Sequence, residues 1–228
     1  MSRVAIVAAL EREVRPLVKR WGVSEKEHDG WRFRFFEERD VVLVCGGVGP
    51  TAARRAAEAV LSMFAPALVC SVGFAGALDP ELKVGDVIHP KSVVNAEDGS
   101  RVTVGTGSGI LVSFGSVASP QQKARLRESY GARAVDMEAA AVARSAEAHG
   151  IAFVAVKAIS DAANFAFPSM EQFVDSDGRF SESRFAWFAT LRPWLWPQAL
   201  ELARNSRRAA HALCSSLRSV DSEIFVGR

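Results

Sequence analysis

Short, almost wholly apolar runs alternate along the chain with helical patterns, and this alternation constrains the fold more than any other feature. Val4–Ala9, Leu68–Val72 and Ile151–Ile159 have the length and composition of strands that are buried on both faces. Between them, apolar residues recur at helical spacing in Leu10–Arg20 and Thr51–Phe64. Strands that alternate with helices predict an α/β fold built on a central sheet.

Turn signals add antiparallel pairs, so the predicted sheet is mixed. Trp31–Phe36 and Val41–Cys45 flank the charged turn Glu37–Asp40, and Asp98-Gly99 closes a hairpin onto Arg101–Val104. The remaining predicted elements are strands at Val84–His89, Lys91–Asn95, Ile110–Phe114 and Ala134–Asp136, a helix opened by Ser119-Pro120, and helices at Met137–His149 and Leu200–Arg218. We find no internal repeat and no linker, which predicts one domain over residues 1–228.

Charge and cysteine usage exclude several classes of function. The formal net charge of +2 gives no reason to expect a nucleic-acid partner, which would need clustered basic residues. Cys45, Cys70 and Cys214 are an odd number without metal-ligand spacing, which predicts a reducing, cytoplasmic location and no metal site. The apolar run Val4–Leu10 is broken too early for a signal peptide, and no run is long enough to span a bilayer.

Glycines and acidic residues follow the predicted strands, where α/β sheets bind their ligands. These residues predict a polar pocket at one edge of the sheet, and the set includes Glu13, Gly73, Phe114, Asp136, Glu138, Ser160 and Asp161. Taken singly, each has an ordinary structural explanation. Asp161 fits a helix cap as well as a catalyst, and Glu13 fits a solvated first turn. Glu138 has alanine neighbours that suggest burial, which favours either an ion pair or a ligand.

Four segments together resemble the nucleoside phosphorylase family, in particular its methylthioadenosine/S-adenosylhomocysteine nucleosidase branch. They are Val4–Val14, Gly73–Gly76 with Leu82–Asp86, Val135–Val142 and Lys157–Asp161, in the family's order. The resemblance implies a single-domain, phosphorylase-type three-layer fold, with a central mixed, largely parallel sheet flanked by helices. It also implies a homo-oligomer, no cofactor, and cleavage of the N-glycosidic bond of a 5′-substituted adenosine with release of adenine.

The resemblance assigns roles at matching positions. Asp161 looks like the acid that protonates or hydrogen-bonds N7 of the leaving purine, and Glu13 like the group that orients the attacking water. Met137 and Glu138 look like the ribose-binding pair, and Phe114 resembles the aromatic that stacks on the base. The same comparison places Asp136, Ser160, Gly73 and Phe74 along the substrate.

Three departures from the family pattern bear on the nucleophile and on the 5′ group. Phe74 stands where a small hydroxyl residue is usual, and Ser71 stands where a phosphate-binding arginine is expected. The segment after His89 is short, so the covering loop is reduced to the hairpin Val94–Val104. The missing arginine favours water over phosphate, and the reduced loop leaves a more open pocket that would admit a bulkier 5′ substituent. A phosphate-dependent purine nucleoside phosphorylase and a non-catalytic nucleoside-binding or membrane-associated protein stay as alternatives.

The C-terminal part carries an aromatic-rich segment, residues 185–197, before the closing helix 200–218. It fits a core or dimer-interface helix, or an apolar surface for a lipid-linked substrate and peripheral membrane contact. Together with Ala163–Pro168 and Asn205–Ala209, it resembles the hopanoid-associated phosphorylase subgroup. That resemblance implies adenosylhopane as substrate, a part in hopanoid biosynthesis, and a place at the membrane surface.

Overall fold

The computed structural model describes residues 3–105, 107–165 and 196–220. The strands are β1 (Val4–Ala8), β2 (Gly22–His28), β3 (Trp31–Glu38), β4 (Val41–Cys45), β5 (Leu68–Ala77), β6 (Val87–Ile88), β7 (Ser92–Asn95), β8 (Arg101–Thr103), β9 (Ile110–Ser113), β10 (Ala134–Asp136) and β11 (Ala152–Asp161). The helices are α1 (Glu11–Val18), α2 (Pro50–Phe64), α3 (Pro120–Tyr130), α4 (Ala139–Ala148) and α5 (Trp196–Val220).

All eleven of these strands belong to one mixed sheet, as the sequence predicts. The main path runs β2-β3-β4-β1-β5-β10-β9-β7-β8, and β11 joins β5 and carries β6 on its other side. Parallel pairs connect β4-β1-β5-β11 and β10-β9-β7, whereas the hairpins at the edges are antiparallel. The α/β fold is therefore confirmed, with two groups of parallel strands that are joined in the middle of the sheet by the antiparallel pair β5-β10.

Helices cover both faces of the sheet and give the predicted three layers. Ala5 and Val7 of β1 lie in an apolar core with residues of α2 and α4. Ile6 and Ala8 point the other way and share a second core with α1 and with Leu213 of α5. Alternate residues of one strand are thus buried on opposite faces, which explains why β1 is apolar throughout.

Two strands are longer than the sequence predicts, and the extra residues belong to the site. β5 continues through Gly73 and Gly76 to Ala77, so these glycines lie within a strand and do not follow one. β11 likewise ends at Asp161, so Ser160 and Asp161 are its last residues. The two strands keep pairing in parallel along this length, which supplies the backbone hydrogen bonds that a loop would lack.

Other boundaries differ by a few residues, and one strand was not predicted. The region predicted as Val84–His89 forms only the two-residue strand β6, and α4 starts at Ala139, so Glu138 precedes that helix. β2 has mostly exposed side chains and pairs with β3, so it carries no apolar alternation that would reveal it. α5 extends the predicted closing helix at both ends.

Several predictions fall wholly or partly outside the described ranges. The single-domain prediction covers the whole chain, and most of the aromatic-rich segment 185–197 precedes α5. Of the motif Ala163–Pro168, only the first three residues are described. Within the described ranges, no helix has the length and apolar character needed to cross a membrane.

Candidate active site

A cavity of about 190 Å³ lies where the carboxyl ends of the central strands meet. Its walls come from the segment after β1, the end of β5, the segment before α3, the residues around the end of β10, and the end of β11. Ligand sites of α/β sheets occupy this position because strand ends and the loops after them converge there. The predicted site residues that line it are Glu13, Phe74, Asp136, Met137, Glu138, Ser160 and Asp161.

Glu13 of α1 is a buried carboxyl group at one end of the cavity. The residue is only 5% exposed, and its Oε2 atom has no hydrogen-bond partner among the described residues. A Cβ atom on Gly73 would lie 2.8 Å from that oxygen, so the absence of a side chain there lets the carboxyl group pack against β5. Burial first, and the nearby Glu138 second, raise the pKa of Glu13 to about 8.

Glu138 is anchored beside Glu13 by two backbone N–H groups. Gly49 N donates to Oε1 at 2.9 Å, and Met137 N donates to Oε2 at 3.3 Å. Burial and the charge of Asp136 raise the pKa of Glu138 to about 7, against the opposing effect of Lys157. Among the described residues Glu138 forms no direct ion pair, and its side chain lies on the cavity wall, as the ligand-binding interpretation of the sequence expects.

Beneath these glutamates, Asp136 and Lys157 form a buried ion pair. Lys157 Nζ lies 2.9 Å from Asp136 Oδ2, and both side chains are almost wholly inaccessible to solvent. Asp136 also accepts from Ser113 Oγ at 2.6 Å and from the backbone N of Ala139 at 2.9 Å. Burial lowers the pKa of Lys157, but Asp136 and Glu138 outweigh it, so the net shift is upward. The sequence carries a signal for this pair, because Lys157 is the single charged residue in the otherwise apolar run Ile151–Ile159.

Asp161 stands at the opposite side of the cavity, with both carboxylate oxygens accepting hydrogen bonds. Ser160 Oγ is 2.6 Å from Oδ1, and Lys123 Nζ forms an ion pair with Oδ2. Lys123 also donates to the carbonyl oxygen of Ala162 at 2.8 Å. No described helix begins at Asp161, so the helix-cap explanation does not apply there. A Cβ on Gly76 would meet Asp161 Oδ2 at 2.8 Å, so this close packing needs glycine.

The structure separates two predicted site residues from the cavity. Phe114 follows β9, its backbone N donates to the carbonyl of Asp136, and its ring packs against the apolar cluster that includes Val112 and Leu126. Its ring is only partly buried there, and it is not among the residues that line the described cavity, so its stacking role stays a prediction. Gly73 packs against the carboxyl group of Glu13, and its lack of a side chain leaves room for that group. It is not among the residues that line the described cavity.

Lys123 is one of the basic residues of the site that sequence reasoning missed, together with Arg12 and Lys157. It lies in α3 three residues before Leu126, and these are the two buried side chains of that helix. Its burial could have been predicted from the sequence, because Lys123 lies on the same side of the helix as the apolar Leu126. Arg12 also lines the cavity, so its wall carries two cationic side chains in the part of the chain that is described.

Metal ligation has no support in the same ranges. No group of three or more His, Cys, Asp or Glu side chains is placed to hold an ion there. Cys45, Cys70 and Cys214 are all free thiols.

The fold and site together define an α/β protein with an acidic small-molecule cavity at the carboxyl ends of its strands. The model of the phosphorylase superfamily matches residues 3–112 and 101–188. The chain therefore belongs to the phosphorylase superfamily, which confirms the family that the four sequence segments indicated.

Curated relatives and solved structures agree with this assignment. A 5′-methylthioadenosine/S-adenosylhomocysteine nucleosidase of Marinomonas sp. (strain MWYL1) is 38% identical over 99 residues, covering 42% of each chain. The nucleosidase of the same name from Staphylococcus aureus (strain bovine RF122 / ET3-1) is 27% identical over 200 residues, covering 71% of this chain and 87% of the relative. A mutant Helicobacter pylori MTAN solved with 5′-methylthioadenosine superposes with a TM-score of 0.73 at 17% identity, covering 98% and 99% of the chains. At that identity the superposition supports the fold alone.

Proposed function

We propose that this protein is a nucleosidase that hydrolyses the N-glycosidic bond of a 5′-substituted adenosine and releases adenine. The observation that carries the proposal is the single cavity that brings together Glu13, Glu138 and Asp161. The nucleosidases among its relatives support the reaction class. Glycosidic cleavage passes through an oxocarbenium-like sugar, so it needs an acid at the leaving group and an activated nucleophile at the sugar.

Asp161 serves the leaving-group side in this proposal. Its side chain is about one-fifth exposed, which leaves it accessible to a bound base. A purine departs more readily once N7 is protonated, because the neutral base is a better leaving group than its anion. A positioned acid of this kind contributes roughly 10²–10⁴-fold to the rate.

Glu13 and Glu138 serve the sugar side. Oε2 of Glu13 is a buried polar atom with no hydrogen-bond partner in the described part of the chain, and a nucleophilic water would satisfy it. Glu138 is held rigid by its two backbone donors, which suits a group that accepts from a ribose hydroxyl and offsets positive charge on the sugar. Both carboxyl groups have pKa values near the working pH of a general base.

Water is the proposed nucleophile rather than phosphate. A phosphate dianion needs several cationic or N–H donors, and the described cavity wall has two cationic side chains, Arg12 and Lys123. Lys123 is already paired with Asp161, and Lys157 lies below the wall, paired with Asp136. The sugar side is instead lined with carboxyl groups, which repel an anion when they are ionised.

The 5′ substituent, the assembly and the location stay predictions. Adenosylhopane, a part in hopanoid biosynthesis, peripheral membrane contact and a homodimer are proposed on the subgroup resemblance, whose aromatic segment lies mostly outside the described residues. Comparing kcat/KM for adenosylhopane and methylthioadenosine would test the substrate. A clear preference for methylthioadenosine would contradict the lipid-linked one.

Adenine release tests the proposed function itself. Purified wild-type protein should release adenine from methylthioadenosine, as measured by chromatography. Asp161→Asn should reduce kcat by roughly 10²–10⁴-fold, because the amide has no acidic proton. Asp29→Asn is the matched control, since the Asp29 side chain is 86% exposed. A wild type as inactive as the mutant across adenosine nucleosides with different 5′ groups would refute the enzyme.

A further inference from the structure

Lys123 is a buried cation that the proposed chemistry has not yet used. Its side chain is only 4% exposed although its helix, α3, lies near the surface, and Arg125 and Arg127 of the same helix are exposed. Burying an ammonium group costs several kcal/mol unless it is paired. Its partner here is Asp161, the group assigned to protonate the leaving base, and its ammonium group lies at the cavity wall.

The hydrogen bonds around Asp161 bear on the source of the proton that it would give to the leaving base. Both of its oxygens accept hydrogen bonds, one from Ser160 and one from Lys123, which is the arrangement of a carboxylate that holds no proton of its own. A carboxylate cannot protonate a purine unless it first takes a proton from a neighbour. Two neighbours carry one, and the ammonium group of Lys123 is a far stronger acid than the hydroxyl group of Ser160.

We propose that Lys123 supplies, through Asp161, the proton that the departing base takes up. The inference rests on the proposed function and adds to it the source of that proton. As the C1′–N9 bond breaks, its electron pair moves into the purine, and N7 takes a proton from Asp161. Asp161 takes a proton from the Nζ atom of Lys123, which becomes a neutral amine. Water adds to C1′ and loses its proton to Glu13, and exchange with solvent restores Lys123 and Glu13.

A purely structural role for Lys123 makes a different prediction. The ammonium group joins α3 to the end of β11 through Asp161 and the carbonyl of Ala162, so its loss could simply displace the carboxylate. Displacement would impair every substrate alike. A failure of proton supply would impair only substrates whose leaving group must be protonated.

The experiment compares two leaving groups in Lys123→Met, Lys123→Arg and wild type. Methylthioadenosine releases a purine that needs the proton, whereas 4-nitrophenyl β-D-ribofuranoside releases a phenolate that does not. We expect Lys123→Met to lower kcat on methylthioadenosine by about 100-fold or more, with a change of at most about threefold on the nitrophenyl riboside. Lys123→Arg should lose kcat on the purine as well, because guanidinium keeps its proton. Arg125→Met, an exposed change on the same helix, is the control.

The outcomes separate the inference from the function on which it rests. Equal losses of kcat on both substrates in Lys123→Met, with an unchanged melting temperature, would overturn the proton-supply role. Wild-type turnover of methylthioadenosine by Lys123→Arg would overturn it as well, since that variant keeps the charge but not the transferable proton. Failure of the wild type to release adenine would instead refute the proposed function.

Discussion

Replacing Glu13 with glutamine should abolish activity and should stabilise the fold relative to wild type. This advantage in stability should grow as the pH rises. Burial, with help from Glu138, raises the pKa of this carboxyl group from 4.5 to about 8. Between these pH values the folded protein holds a proton that the unfolded chain has released. Stability therefore falls as the pH rises from 4.5 to 8 and levels off above that. At about 1.4 kcal/mol per pH unit, the ionised group lowers the free energy of unfolding by up to about 5 kcal/mol.

The assay is urea-induced unfolding at pH 5, 7 and 9 without substrate. Glutamine cannot ionise, so the variant should lose the part of the fall that Glu13 causes and keep the part that Glu138, with a pKa of about 7, causes. Its advantage over wild type should therefore grow with pH up to about pH 8. Glu11→Gln on the same helix is the control, because Glu11 is about half exposed and pairs with Arg34 at 3.0 Å. The control should change stability by at most about 1 kcal/mol. An advantage of Glu13→Gln that is the same at all three pH values would refute the reasoning.

Three further predictions concern the same cavity. In wild type, kcat/KM for methylthioadenosine should rise toward an apparent pKa near 8, since Glu13 must ionise to accept the proton of water; a flat pH profile would count against this. Gly76→Ala should lower kcat by about 100-fold, because its Cβ would lie 2.8 Å from Asp161 Oδ2 and displace the carboxylate; an unchanged kcat in steady-state kinetics would contradict this. Lys157→Met should destabilise the fold by about 3–5 kcal/mol in urea unfolding, because it strands the buried carboxylate of Asp136; a loss under about 1 kcal/mol would contradict it.

The central strands were predictable because burial on both faces leaves them apolar. β1 and most of β5 and β11 follow this rule. Gly73 and Gly76 looked like loop residues because glycine is common in turns, yet here they sit in a strand where neighbouring carboxyl groups need their space. β2 could not be predicted, since its stability comes from pairing with β3 and its side chains are mostly exposed.

The acidic residues of the site were also predictable, from their positions at strand ends and from the family resemblance. Their partners were harder to find. Lys123 is 38 residues from Asp161 in sequence, and a lysine in a polar helix is usually solvated. Phe114 is partly buried against a separate apolar cluster, so its stacking role stays a prediction that rests on the family resemblance. Such contacts join residues that are far apart in sequence, and they depend on how the helices pack against the sheet. Local sequence patterns therefore do not reveal them.

The products formed with and without phosphate test the central claim most directly. Wild-type protein is incubated with methylthioadenosine in phosphate-free buffer and in buffer containing phosphate, and the sugar product is identified by mass spectrometry. The account predicts adenine and the free sugar in both buffers at equal rates. Formation of a sugar 1-phosphate, with adenine released only when phosphate is present, would contradict it.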